Sequence, residues 1–146
     1  MVGSSILGSA TNNSVSVNTL AEKGMEVIID YGTKAGSYDS TTAVHKSEQG
    51  EPIVTELAGL NANTRYYFRV SYKKATDTAY TSGTEHSFYT QRAVGSTFSF
   101  GVQGDSHPER AGKMFNADLY NITMRNAFEL QPDLYYTMGD LSLIHI

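Results

Sequence analysis

The sequence predicts an all-β sandwich followed by the first β-α-β unit of an α/β domain. Apolar and polar residues alternate in short runs between residues 14 and 89, a period of two that is typical of strands with one face on a core. Glycines separate these runs at spacings of about ten residues, which favours a sandwich. Beyond residue 96 a strand-like run, a helix-length segment and a second strand-like run follow in order.

The composition narrows the classes of partner. The 146 residues carry a net charge of −4 and no cysteine, so the chain lacks both a disulfide framework and the basic surface that neutralises nucleic-acid phosphates. No run of about 18 apolar residues is present, which predicts that there is no transmembrane segment. Nothing in the sequence indicates an oligomeric state.

Three runs in the first module define a predicted core. They begin near residues 14, 25 and 66, and nothing between residues 14 and 89 has a helical period. One face of each strand should therefore pack inward. The residues expected on that face are Val15, Val17, Met25, Val27, Ile29, Tyr31, Tyr66, Phe68, Val70 and Tyr72.

A more specific sequence pattern precedes the third run. In Leu57-Ala-Gly-Leu60-Asn-Ala-Asn-Thr64-Arg-Tyr66 a leucine stands six residues ahead of a tyrosine that opens a long strand. This resembles the tyrosine corner of fibronectin type III domains. The resemblance implies that residues 1–92 form such a sandwich, that the Tyr66 hydroxyl bonds to backbone near the turn, and that Phe88 with Thr90 closes the last strand.

A polar, glycine-containing linker at 93–96 precedes the second module, 97–146. Residues 97–103 are predicted to form a strand with Phe98, Phe100 and Val102 on one face. Residues 133–138 are a second predicted strand, and this order implies a parallel pair with a right-handed crossover. A helix is predicted over 111–130, with an apolar stripe formed by Ala111, Phe115, Leu119 and Ile122 and resumed at Ala127 and Phe128.

Three polar side chains follow the predicted parallel strands. Asp105 and His107 are two positions apart, so they would point the same way in extended chain, and Asp140 follows the second strand. Parallel neighbours lie about 4.8 Å apart and end at one edge of the sheet, where α/β ligand crevices form. Two carboxylates and an imidazole suit a hard-to-borderline metal ion. The sequence therefore predicts a metal site at this edge.

These motifs resemble the calcineurin-like metallophosphoesterases, which include the purple acid phosphatases. Gly104-Asp105-Ser106-His107 matches the family's first block, Gly-Asp-x-His, and Gly139-Asp140 matches the Gly-Asp that opens its second block. The resemblance implies that Asp105 and His107 hold one metal and that Asp140 bridges two. It also implies two ions of iron, zinc or manganese, hydrolysis of phosphate esters by a hydroxide held between the metals, and an extracellular or periplasmic location.

Two other functions remain open. The first module could be a fibronectin-like binding module in which Tyr67, Tyr80 and Tyr89 contact a ligand, followed by a non-catalytic remnant. Alternatively, Gly104-Asp105-Ser106 resembles the nucleophile block of ester hydrolases that begin Gly-Asp-Ser, with Ser106 as the nucleophile. The later Gly-x-Asn-Asp block of those hydrolases is not matched around Gly139-Asp140.

The C-terminal residues also lead to an expectation. The resemblance implies an Asn-His block and further histidines after the second Gly-Asp, and the sequence has no such block there. Residues 141–146 read as the translation of a sequencing adapter. We therefore expect 97–146 to be the N-terminal part of a metallophosphoesterase domain, with an artefactual tail and no phosphatase activity of its own.

Overall fold

The computed structural model describes residues 2–108, 113 and 115–139, with side chains from Ser5 onward. The chain divides into two compact units, Met1–Gly95 and Ser96–Ile146. The division falls inside the segment predicted as a linker. Each unit is described on its own below.

The first unit consists of two antiparallel sheets. The smaller sheet has three strands in the order β1-β2-β6, and β2 pairs with both neighbours. Its strands are β1 (Val2–Gly8), β2 (Ser14–Ala21) and β6 (Pro52–Ala58). The strict alternation of buried and exposed residues along β6 shows that this sheet has one face on the core.

The larger sheet has the order β4-β3-β7-β8, with a short strand, β5, also pairing with β3. Its strands are β3 (Met25–Gly32), β4 (Ser40–Thr41), β5 (His45–Lys46), β7 (Arg65–Lys74) and β8 (Thr81–Tyr89). The predicted core face is confirmed on β2, β3 and β7. All ten predicted inward residues are buried except Tyr31 and Tyr72, which are half-buried and pack against the core.

Two features of this unit differ from the sequence prediction. The strand β1 was not predicted, because its Gly- and Ser-rich sequence lacks a clear alternation; it forms by pairing with β2. Ser71 lies between Val70 and Tyr72, two residues expected to face inward, so the alternation places it on the outward face, yet it is buried. The register of β7 against β8 shifts between Arg69 and Ser71, and the Ser71 hydroxyl donates a hydrogen bond to Asp30 Oδ2 at 3.0 Å. The pairing of β7 with β3 is regular here, so Ser71 stays on the outward face with Arg69, which also bonds to Asp30 Oδ2, and it is buried on that face with its hydroxyl satisfied.

The second unit contains β9 (Phe100–Gln103), α1 (Ala117–Glu129) and β10 (Leu134–Thr137). β9 and β10 pair in parallel, with Phe100 opposite Leu134 and Gln103 opposite Thr137. The strand, helix, strand order and the parallel pairing agree with the sequence prediction. Among its described residues none is fully buried, so this unit has no closed core of its own.

The elements of this unit are shorter than predicted. β9 begins at Phe100 rather than at residue 97, since the Ser99 N–H is already bonded to the Asp133 carboxylate at 2.9 Å. The helix begins at Ala117 rather than at residue 111. The Asn116 side chain accepts a hydrogen bond from the Leu119 N–H at 3.1 Å and thereby caps the first turn.

The predicted helical stripe is wrong at Leu119, Ile122 and Phe128, whereas its members Phe115 and Ala127 are half-buried. Leu119 and Ile122 are 61% and 52% exposed, whereas Tyr120, Met124 and Ala127 are half-buried. Positions i, i+4 and i+7 lie on one helical face, and Gln103 of β9 contacts the hydroxyl of Tyr120 on this face. The predicted stripe member Ala111 lies outside the described residues.

One face of the parallel pair is apolar and open. Phe98 and Phe100 stack with ring centroids 6.1 Å apart, as expected from their alternation with small residues. The large apolar side chains of this face are each more than half exposed: Phe98, Phe100, Val102, Leu134 and Tyr136. We call this set the open face.

No helix within the described ranges is long and apolar enough to cross a bilayer.

Candidate metal centre

The two Gly-Asp motifs leave neighbouring strand ends. Gly104 follows β9 directly, and Gly139 follows Met138 after β10. The Met138 N–H donates to the Gln103 carbonyl at 2.9 Å, so the backbone pairing continues one residue beyond β10. Both motifs therefore emerge from the carboxyl edge of the parallel pair, where ligand crevices of α/β sheets lie.

The Asp105 carboxylate lies against the backbone of Gly139. A Cβ built on Gly139 would be 2.5 Å from Asp105 Oδ1 and 3.4 Å from its Cγ. The first motif's carboxylate is thus in contact with the residue that immediately precedes the second motif's aspartate. Asp140 itself lies outside the described residues, so its side chain is not placed.

His107 also approaches Asp105, but not by the route that the sequence predicted. Its Nε2 is 3.7 Å from Asp105 Oδ2, and the two side chains are 25% and 51% exposed respectively. His107 has a φ of 48°, which is left-handed rather than extended backbone. A turn after β9, and not the alternation of an extended strand, brings imidazole and carboxylate together.

The donor chemistry of this turn fits a divalent cation in part. Asp105 offers carboxylate oxygens and His107 an imidazole nitrogen, the ligand types that zinc, iron and manganese accept. Both side chains reach solvent, so an ion could enter. Across residues 2–108, 113 and 115–139, however, no third His, Cys, Asp or Glu completes a metal-binding group. A third ligand from Asp140 would have to come from outside those ranges.

A polar chain behind the turn was missed by the sequence reasoning. The Tyr135 hydroxyl donates to Gln103 Oε1 at 3.0 Å, and Gln103 Nε2 makes a longer contact of 3.5 Å to the Tyr120 hydroxyl. One glutamine thereby connects β9 with β10 and α1, two residues before Asp105. The position of Gln103 in the sequence could have indicated these bonds, because a polar residue on the helix-facing side of a strand needs hydrogen-bond partners.

The structure also describes the residues on which the two alternative functions depend. Ser106 is half-buried on the turn between Asp105 and His107. The Arg65 guanidinium lies 4.7 Å above the ring of Tyr89, which is 57% exposed. Tyr67 lies beside Arg65 on β7, where Arg65 pairs with Tyr89.

The third tyrosine lies apart from that pair. Tyr80 lies next to Thr81, which is opposite Tyr72 towards the other end of β7, and its ring faces Lys73 Nζ at 5.3 Å. The three tyrosines therefore do not form one continuous binding surface.

Comparison with known proteins gives the fold of the sandwich only. No family model matches the chain, and no curated protein matches it. Among solved structures, the long form of the sensor domain of the anti-sigma factor RsgI4 from Pseudobacteroides cellulosolvens has a TM-score of 0.50 and 16% identity over 68% of this chain and 98% of that one. The fibronectin type III domain of human fibronectin type III domain containing protein 3 has a TM-score of 0.46 and 18% identity over 65% and 88%.

At these identities the similarity concerns the fold and not the activity. Together with the two antiparallel sheets, the similarity to the sensor domain supports a chain that is mostly a β-sandwich, with one short helix among the described residues.

Proposed function

We propose that this chain carries the first part of a metal-dependent phosphoesterase centre behind a fibronectin type III-like domain. The observation that supports the proposal is the contact between the two Gly-Asp motifs, in which the Asp105 carboxylate lies against Gly139. The motifs are alike in sequence, but only a parallel pairing of β9 and β10 brings them together. That arrangement fits the order of blocks in the metallophosphoesterases.

In this proposal Asp105 and His107 would hold one cation, and Asp140 would bridge it to a second. Iron, zinc or manganese bound there would neutralise charge on the oxygens of a phosphate ester and lower the pKa of a water molecule. Asp105 is about half exposed, so its carboxylate can exchange its hydrating water for a metal ion. The location outside the cytoplasm follows from the family resemblance and is proposed with it.

The chain also holds the metal-binding turn in place. Gln103 receives the Met138 N–H on its backbone and the Tyr135 hydroxyl on its side chain. These bonds connect the end of β9 to β10 through both the backbone and the side chain of Gln103. Preorganised ligands bind metal more tightly, because less conformational entropy is lost on binding.

Metal titration tests the proposal. We expect saturable binding of Zn²⁺ or Mn²⁺ to the chain by calorimetry, and about a tenfold or greater loss of affinity in Asp105→Asn, His107→Ala and Asp140→Asn. Glu56→Gln is the matched control for lost charge, since Glu56 is exposed on β6 of the other unit. Absence of saturable binding, or wild-type affinity in Asp140→Asn, would overturn the proposal.

Activity provides an independent test. Hydrolysis of 4-nitrophenyl phosphate by a protein that contains this chain should be lost in Asp140→Asn and retained in Glu56→Gln. Hydrolysis of carboxylic esters that is lost in Ser106→Ala and unaffected by chelators would instead support the Gly-Asp-Ser alternative.

A further inference from the structure

The two glycines of the Gly-Asp motifs have different surroundings. A Cβ on Gly139 would lie 2.5 Å from Asp105 Oδ1, closer than real Cβ contacts come, whereas a Cβ on Gly104 would meet no atom within 4 Å. Neither glycine has a left-handed φ, so backbone conformation does not require glycine at either position. The need for glycine at residue 139 is therefore steric and is caused by Asp105.

A methyl group at residue 139 would displace the carboxylate rather than the strand. The backbone before Gly139 is fixed by the Met138 N–H bond to the Gln103 carbonyl and by the register of Thr137 opposite Gln103. The atom in the way, Asp105 Oδ1, is the end of a side chain that rotates about two bonds. Rotation costs little stability, but it changes the position of the carboxylate relative to His107, whose Nε2 is 3.7 Å from Asp105 Oδ2.

We propose that Gly139 is a positioning residue, whose missing side chain leaves the space in which the Asp105 carboxylate is held beside His107. The second Gly-Asp motif thus contributes twice: its aspartate is a predicted ligand, and its glycine sets the geometry of a ligand from the first motif. The consequence for metal binding rests on the proposed function, whereas the steric relationship between Gly139 and Asp105 does not.

The test compares Gly139→Ala with Gly104→Ala, which adds the same methyl group to the same dipeptide. Crystal structures of both variants should show Asp105 Oδ1 displaced by about 0.8 Å or more in Gly139→Ala, since the 2.5 Å separation must grow to a normal contact of about 3.3 Å. The carboxylate should be unmoved in Gly104→Ala. With Co²⁺ as the probe, Gly139→Ala should bind about tenfold more weakly. Its visible absorption bands should also change, whereas those of Gly104→Ala should stay as in the wild type.

A double-mutant cycle tests the inference even if Gly139→Ala destabilises the fold. If Gly139→Ala lowers the melting temperature, the same change should lower it much less in the Asp105→Ala background. In that background the carboxylate that clashes with the added methyl group is absent. An equal loss of melting temperature with and without Asp105 would overturn the inference.

The outcomes separate this inference from the proposed function. A wild-type chain that gives no Co²⁺ spectrum would contradict metal binding, while a displaced carboxylate in Gly139→Ala would still support positioning. Conversely, tight wild-type Co²⁺ binding with an unmoved Asp105 in Gly139→Ala, or equal losses in both alanine variants, would overturn positioning alone.

Discussion

The Tyr66 hydroxyl accepts a hydrogen bond from the Asn61 backbone N–H at 3.0 Å. The tyrosine lies near the start of β7, and its ring stacks on Phe88 of β8 with centroids 5.8 Å apart. One side chain thereby joins the β6–β7 turn to the core between the two sheets. This contact is the tyrosine corner that the leucine spacing predicted.

Removal of that hydroxyl should destabilise the sandwich. Tyr66→Phe keeps the ring but leaves the Asn61 N–H without its acceptor, so we expect the free energy of unfolding to fall by about 1–2 kcal/mol. Urea denaturation measures the change. Tyr31→Phe is the matched control, because the Tyr31 ring also packs against the core and its hydroxyl makes no hydrogen bond recorded for the described residues. Equal losses in both variants would contradict a special role for the corner.

Asp30 should make stability depend on acid pH. Burial raises the pKa of this carboxyl, but hydrogen bonds from Thr41, Arg69 and Ser71 outweigh burial and lower the pKa below its ordinary value. A carboxyl with a lowered pKa contributes stability above its unfolded pKa, and that stability is lost as the pH falls through the folded pKa. The free energy of unfolding should therefore decrease below about pH 4.

Asp30→Asn separates this contribution from the rest of the sandwich. The side chain is only 14% exposed, so solvent screens its hydrogen bonds weakly, and we expect a loss of about 1–3 kcal/mol at pH 7. The variant should also lose part of the pH dependence between pH 5 and 2 when urea midpoints are compared. If the variant lost stability at acid pH as steeply as the wild type does, other carboxyls would be the cause of the pH dependence.

The cap of α1 should control the order of the second unit. Asn116→Ala removes the acceptor for the Leu119 N–H, and loss of such a cap costs about 1 kcal/mol. Because no described residue of α1 is buried, packing compensates little, and amide exchange along the helix should become several-fold faster. Asn116→Asp keeps a capping oxygen and should exchange as the wild type does. Equal acceleration in both variants would contradict the cap.

The core of the sandwich was predictable because a single period of two described it. Val17, Ile29 and Phe68 lie on faces whose alternate positions are mostly polar, and the exceptions, Ile28 and Tyr67, do not extend into a second apolar face. The helix was harder, since both Leu119 and Tyr120 are apolar and the sequence therefore offers two overlapping stripes. Contact with Gln103 of β9 decides between them, and that contact depends on the register of a distant strand.

The candidate site was predictable only in outline. Parallel strands end at one edge, which was sufficient to expect Asp105 near the second Gly-Asp motif. The left-handed backbone of His107 and the steric role of Gly139 were not visible, because both arise from the turn and the register that the folded chain adopts. Metal binding by Asp105, His107 and Asp140 stays a prediction.

The open face of the parallel pair has a consequence for how the chain behaves at high concentration. Phe100, Val102, Leu134 and Tyr136 present apolar surface to water beside two strand edges without further partners among the described residues. Such surfaces self-associate, and sulfate salts strengthen the association. Val102→Lys should raise the concentration at which the chain precipitates without changing the melting of the sandwich. We therefore expect the two units to affect different properties, the open face affecting solubility and the sandwich core affecting folding stability.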